Sequence, residues 1–129
     1  MPIILDSNAF FVPFEFKIDI YEELERLANV GIEPILLSPV KEELEKLVAG
    51  GSPKMRKDAA YALKLAEKSK LVKVDAKEDF TDDVILKIAQ EWNCPVFTND
   101  MQLRKRLRDI NVPVIYVRQK SRLAIDGRL

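Results

Sequence analysis

The chain has 129 residues, enough for one domain with one core, and 47% of them are apolar, which excludes a disordered chain. Formal net charge is zero, with 21 basic and 21 acidic residues, yet residues 101–129 carry eight basic side chains against only Asp109 and Asp126. A basic end on an acidic body suggests a polyanion partner on one face, although a solvated helix face and tail would look the same.

No apolar run approaches the roughly 20 residues of a membrane helix, so no membrane partner is expected. "MPIILD" has no basic stretch before its short apolar run, which argues against a signal peptide and for a cytoplasmic chain. The single Cys94 excludes an internal disulfide framework and reads as a small buried hydrophobe.

In chain order, "IIL" at 3–5 predicts a short buried strand that runs straight into Asp6, Ser7 and Asn8. Residues 10–18 are aromatic-rich and read as a packed loop or ragged helix start. Phe10, Phe11 and Phe14 would pack beneath a cleft or form an oligomer face. From Asp19 a helix is predicted, with Ile20, Leu24 and Leu27 on one face and Gly31 as its stop. "EPILLSP" at 33–39 predicts strand then helix, with Ser38 as cap and Pro39 at the first helical position. "AGGSP" breaks that helix, and Ser52 and Pro53 repeat the signal. The next helix would turn Met55, Ala59, Ala62, Leu63 and Ala66 inward.

"LVKV" at 71–74 predicts a strand suited to a sheet edge. A helix follows, opened by Thr81 or Asp79, with Val84, Ile85, Ile88, Ala89 and Trp92 on its apolar face. Asn93 ends it, and Pro95 to Thr98 form another short strand. Met101 to Ile110 are helical, "VPVIYV" at 112–117 is a last strand, and residues 118–129 read as a polar, basic tail. Strands alternating with helices imply an α/β fold: a three-layer α/β/α sandwich with a mainly parallel central sheet, whose strand order the pattern leaves open.

In such a sheet, ligands bind beyond the carboxyl ends of the strands. Four acids fall there: Asp6 after the first strand, Glu43 early in the helix after the second, Asp82 at a helix start, and Asp100 after "PVFT". Each has an ordinary explanation. Asp82 and Asp83 complement a helix dipole, Asn99 or Asp100 caps a helix, Asp6 or Asn8 serves a turn, and Glu43 is one glutamate among several. Together they suggest a shared cation. Clustered carboxylates repel, and Mg²⁺ or Mn²⁺ prefers oxygen ligands. The chain has no histidine, which removes histidine acid–base catalysis and Ser-His or Cys-His nucleophiles. Carboxylates with a hard ion remain as machinery for phosphodiester hydrolysis. The sequence holds no G-x-x-x-x-G-K-[ST] phosphate loop. "LDSN" lacks the second Asp of aspartate-nucleophile phosphatases, and a receiver domain would need an acidic pair ending its first strand.

"ILDSN", "SPVKEELEKL", "TDDVILKIA" and "VFTND" occur in that order along the chain. In that order they resemble the successive motifs of PIN-domain nucleases, over nearly the whole chain to about Val117. The resemblance implies a PIN-like nuclease domain over 1–117, followed by the basic tail at 118–129. It implies Mg²⁺- or Mn²⁺-dependent endoribonuclease activity, with Asp6, Glu43, Asp82 and Asp100 as the catalytic, metal-holding acids. Asn8, Thr98 and Asn99 match positions that orient the acids and the water, and Asp83 is an auxiliary acid.

"GGSPKMRKDAAYALKLAE" and "VPVIYVRQKSRL" look more like the ribosome-biogenesis branch, including its stand-alone archaeal members, which cleaves precursor rRNA. VapC-type toxins share the four acids and would bring an antitoxin partner. A non-catalytic RNA-binding or assembly module on the same fold is the third alternative. A homodimer or higher oligomer is compatible with each. RNA phosphate would meet Lys54, Arg56 and Lys57, then Arg104, Lys105 and Arg108, and in the tail Arg118 and Arg122. At 3.6 residues per turn, the basic residues after Asp100 cannot all share one face.

Overall fold

The computed structural model describes residues 1–75 and 80–129. Six strands form one sheet: β1 (Pro2–Leu5), β2 (Glu33–Leu37), β3 (Lys70–Val72), β4 (Val96–Phe97), β5 (Val114–Arg118) and β6 (Arg122–Asp126). Their order is β3-β2-β1-β4-β5-β6, parallel except for the final antiparallel pair. The order turns back at β1, and the crossovers set helices on both faces, which gives the expected three-layer sandwich. As the sequence suggested, β3 is an edge strand. Among the described residues, no helix is long and apolar enough to cross a membrane.

A 3₁₀ turn at Ser7–Phe11 leads into α1 (Val12–Phe16), so the ragged aromatic segment resolves into two short helical pieces. Phe10 is fully buried and Phe11 half-buried. Phe14 is exposed and stands beside Tyr61, with ring centroids 6.0 Å apart. Helix α2 (Ile20–Ala28) begins where Asp19 accepts the Glu22 N–H. It stops at Asn29 rather than Gly31, because Asn29 takes the left-handed conformation at φ 52° that the C-terminal cap needs.

Helix α3 (Ser38–Gly50) starts one residue earlier than its sequence signal. Ser38 does not cap it; its hydroxyl accepts the Val74 N–H at 3.0 Å and so fastens the chain beyond β3. Ser52 does cap α4 (Pro53–Ala66), accepting the Met55 N–H. Ala59, Ala62 and Ala66 face the core, but Met55 is left exposed on the first turn. Helix α5 (Thr81–Trp92) buries Val84, Ile85 and Ala89, while Trp92 turns outward. The alternative helix start at Asp79 lies outside the described residues. Asp100 caps α6 (Met101–Asp109).

Residues 118–129, expected as a basic tail, pair into the sheet through β6. The hairpin turns at Gln119 and Lys120, both at positive φ. In "RLAID" Leu123 and Ile125 alternate with Arg122, the small Ala124 and Asp126, a strand pattern that the surrounding basic residues obscure. The free edge of β6 is covered by α2, whose Glu23 accepts the Leu123 N–H at 3.4 Å while Arg26 reaches the Leu123 carbonyl at 3.5 Å.

The core lies along the middle strands. Phe97 in β4 is fully buried, and its carbonyl accepts the Asp6 N–H at 3.0 Å. Phe97→Ala is therefore expected to cost about 3–5 kcal/mol of stability, read as a lower urea midpoint. A cost below about 1 kcal/mol would show that β4 is not the packed centre. Cys94 is buried as expected, and burial pushes its thiol up to about 11, so it behaves as an inert hydrophobe.

Candidate active site

Asp6 leaves the carboxyl end of β1, and Thr98, Asn99 and Asp100 leave that of β4. The strand order reverses between these two neighbours, which is where an open α/β sheet leaves a crevice for ligands. Ladder bonds set the two ends level: Asp6 N–H to the Phe97 carbonyl, and Thr98 N–H to the Ile115 carbonyl, each 3.0 Å.

Asp6 is only 4% exposed. Its Oδ1 accepts the Ser7 N–H at 2.8 Å; its Oδ2 accepts the Thr98 hydroxyl at 2.8 Å and the Asn8 amide at 3.1 Å. Burial, the largest cause, and the charges of Asp82 and Glu43 together raise its pKa to about 6, against the pull of the Thr98 and Ser7 bonds. Thr98, fully buried, also accepts the Asp100 N–H at 3.1 Å. Asn8 accepts the Asn99 N–H at 3.0 Å, and Asn99 in turn accepts the Val117 N–H at 2.9 Å. The orienting residues expected from the sequence thus form one network joining β1, β4 and β5.

Asp100, one of the four acids expected from the sequence, is the N-cap of α6. The cap uses Oδ1 alone, which accepts the N–H groups of Gln102 and Leu103. Glu43, half-buried on α3, accepts the Ser7 hydroxyl at 3.0 Å. Asp82 on α5 has a raised pKa, chiefly from burial and then from the charges of Asp100 and Glu43, with Arg106 opposing. Asp6, Glu43, Asp82 and Asp100 are therefore electrostatic neighbours. Among the described residues, however, no three acids converge closely enough to hold an ion as they stand. Charge coupling reaches further than a 2.0–2.1 Å coordination bond, so electrostatic neighbours need not form a closed ligand set.

Asp83, expected as an auxiliary acid, is exposed and pairs with Arg106 at 2.7 Å. Arg104 and Arg108 are not free phosphate holders either. Both pair with Asp126 of β6, at 3.0 and 3.2 Å, and the Arg104 guanidinium lies 3.8 Å from the centroid of the Tyr116 ring. Lys105 is exposed, and Lys54, Arg56 and Lys57 are exposed on the first turn of α4. Arg118 and Arg122 are exposed and directly opposite each other in the β5–β6 register. Sequence reasoning missed Ser7, which bridges Asp6 and Glu43, and Tyr116, which underlies Arg104. Nothing in the sequence marked either.

A family described as "PIN like domain" matches residues 3–120. The chain belongs to the PIN-domain family. The Methanocaldococcus jannaschii protein named Ribonuclease VapC4 is 38% identical to this PIN domain over 126 residues, covering 97% of this chain and 96% of that protein. Ribonuclease VapC9 of Archaeoglobus fulgidus is 27% identical over 124 residues, covering 95% and 87% respectively. Among solved structures, the PIN domain endonuclease Utp24 superimposes with a TM-score of 0.83 at 26% identity, over 99% of this chain and 92% of that one. The donor chemistry of this PIN domain suits a hard divalent ion: the four acids offer only oxygen, burial and neighbouring acidic charge disfavour the charged forms of Asp6 and Asp82, and no imidazole is present.

Proposed function

We propose that this PIN domain is a divalent-metal-dependent endoribonuclease that hydrolyses RNA phosphodiesters with Mg²⁺ or Mn²⁺. The observation that carries the reading is the coupling of Asp6, Glu43, Asp82 and Asp100 at the reversal of strand order. The names of the two ribonuclease relatives and of the endonuclease structure support it.

Asp6, Asp82 and Asp100 would hold the principal ion, with Glu43 at its side. When bound, the ion supplies charge to offset the phosphate and acidity to a water. Thr98 and Asn8 fix the plane of the Asp6 carboxylate, and the α6 cap fixes Asp100 while leaving its second oxygen outside the cap. Water attacks phosphorus in line with the leaving oxygen, whose bond to phosphorus breaks. The opposed pair Arg118 and Arg122 meets the RNA backbone, since an anion relieves their repulsion.

For its biological role, two readings rest on different observations. Cleavage of precursor rRNA rests on the sequence resemblance of the α4 and β5 segments to the ribosome-biogenesis branch. A toxin role, with an antitoxin partner, rests on 38% identity to a VapC ribonuclease over nearly the full chain. Co-purification of a small antitoxin from the native cell would favour the second, and crosslinking to rRNA precursors the first.

The activity itself is tested with purified chain and internally labelled RNA. Cleavage should require added Mn²⁺ or Mg²⁺ and stop with EDTA. RNA left intact at every ion concentration, or cut equally in EDTA, would overturn the proposal.

A further inference from the structure

A cleft of about 440 Å³ opens next to the strand end that leads into Asp100, lined there by Thr98, Asn99 and Met101. Its apolar lining comes from Phe16, Met101, Tyr116 and Val117, with the Arg104 guanidinium 3.8 Å from the centroid of the Tyr116 ring. Met101 is 69% exposed, an unusual amount for a methionine with no solvent-facing task.

The cleft is lined by charges of both signs, the Arg104 guanidinium already paired with Asp126 at 3.0 Å, Lys120 and the Glu15 carboxylate, so it is not a wholly basic phosphate site. What remains is a planar cation held rigidly on a ring, an aromatic and thioether floor, and hydrogen-bonding groups at the rim. Asn99 accepts the Val117 N–H, so its oxygen is identified and its amide NH₂ is the donor left for a ligand. Glu15 can accept from an exocyclic amino group. An apolar slot with both donor and acceptor edges matches a nucleobase.

We infer that this cleft is a nucleobase subsite, which stacks the base of a nucleotide flanking the scissile phosphate between the Arg104–Tyr116 pair and Met101. The inference rests on the ribonuclease reading above and adds a substrate contact to it. Arg104 thereby changes role, from a phosphate holder to a stacking platform. The backbone on either side of that nucleotide would run from the acids at Asp6 and Asp100 towards the arginines of the β5–β6 hairpin.

The test compares cleavage of one short single-stranded RNA with versions carrying a single abasic nucleotide at each position around the cut. For the wild-type chain, one flanking position should raise KM by about tenfold or more when its base is removed. In Tyr116→Leu, which keeps apolar volume, that penalty should vanish, so intact and abasic RNA are cut alike. Arg104→Lys keeps the charge but loses the planar face, and it should lose the penalty as well. A 2-aminopurine at the sensitive position should be quenched on binding wild type in Mg²⁺, and less so on binding Met101→Ala. Should wild type cut RNA with no abasic position changing KM by more than about twofold, the subsite is wrong and the nuclease reading stands. An abasic penalty that survives in Arg104→Lys and Tyr116→Leu would likewise place the base elsewhere. Absence of any cleavage by wild type removes the nuclease reading and the subsite with it.

Discussion

Asp6→Asn and Asp100→Asn are each expected to lower metal-dependent RNA cleavage by about 10²–10³-fold or more, while the protein stays folded. The two variants separate chemistry from structure in different ways. Asparagine caps a helix as well as aspartate does, so Asp100→Asn keeps the Gln102 and Leu103 bonds that start α6. Loss of cleavage there reports the lost charge, not a frayed helix. Asp6→Asn goes further. Burial and its acidic neighbours lift the Asp6 pKa to about 6 from 3.8, so the folded protein holds a proton that the unfolded chain has released. The resulting stability is present below about pH 4 and is lost as pH rises through 6. At pH 7.5 the ionised wild type carries the full burden, at most about 3 kcal/mol. Asparagine removes that burden, although its NH₂ now faces one of the donors from Ser7, Thr98 and Asn8. An inactive variant that melts no lower than metal-free wild type at pH 7.5 is the signature of a site acid. Mn²⁺ should raise the melting temperature of wild type and leave Asp6→Asn nearly unmoved. Wild-type cleavage in either variant would remove that acid from the site.

The sequence exposed what local physics decides. The placement of Asp6 and Asp100 at neighbouring strand ends was legible because each ends a short apolar run, and strand ends gather on one side of a parallel sheet. Caps at Asp19 and Ser52 and the stop at Asn93 were legible for the same local reason. What escaped depends on distant partners. Arg104 and Asp126 are 22 residues apart, and nothing near Arg104 signals that β6 will neutralise it. The strand character of 122–126 hid behind its arginines because composition was weighed there ahead of alternation. Met55 and Trp92 sit at helical spacings that suit a core, yet their helices end at the surface, so periodicity overstates burial at the first and last turns. Asp82 and Asp83 are adjacent on α5, yet neighbours on a helix differ by about 100°, so their surroundings differ: Asp82 couples to Asp100 and Glu43, while Asp83 pairs with Arg106.

Thr98→Val is expected to shift the acid limb of log(kcat/KM) against pH upwards by about one to two units. Valine replaces the hydroxyl with a methyl in the same fully buried space, so packing is nearly conserved. The lost group donates to Asp6 Oδ2 at 2.8 Å and accepts the Asp100 N–H at 3.1 Å. A hydrogen bond to a charged acceptor contributes about 1.5–3 kcal/mol, and each pKa unit corresponds to 1.36 kcal/mol. Because the Thr98 bond stabilises the ionised form and opposes burial, its removal must raise the Asp6 pKa further, so a higher pH is needed to reach the competent carboxylate. The shift is read at an ion concentration below saturation, where proton and metal compete for the same oxygens. Stability should fall by about 1–3 kcal/mol, since the Asp100 N–H loses its acceptor. Thr98→Ser keeps the hydroxyl and should keep the wild-type limb, which separates the hydrogen bond from any packing change. An unmoved acid limb in Thr98→Val would mean that the ionisation governing cleavage belongs to another acid, and Asp82, whose pKa is also raised, would be the next to test.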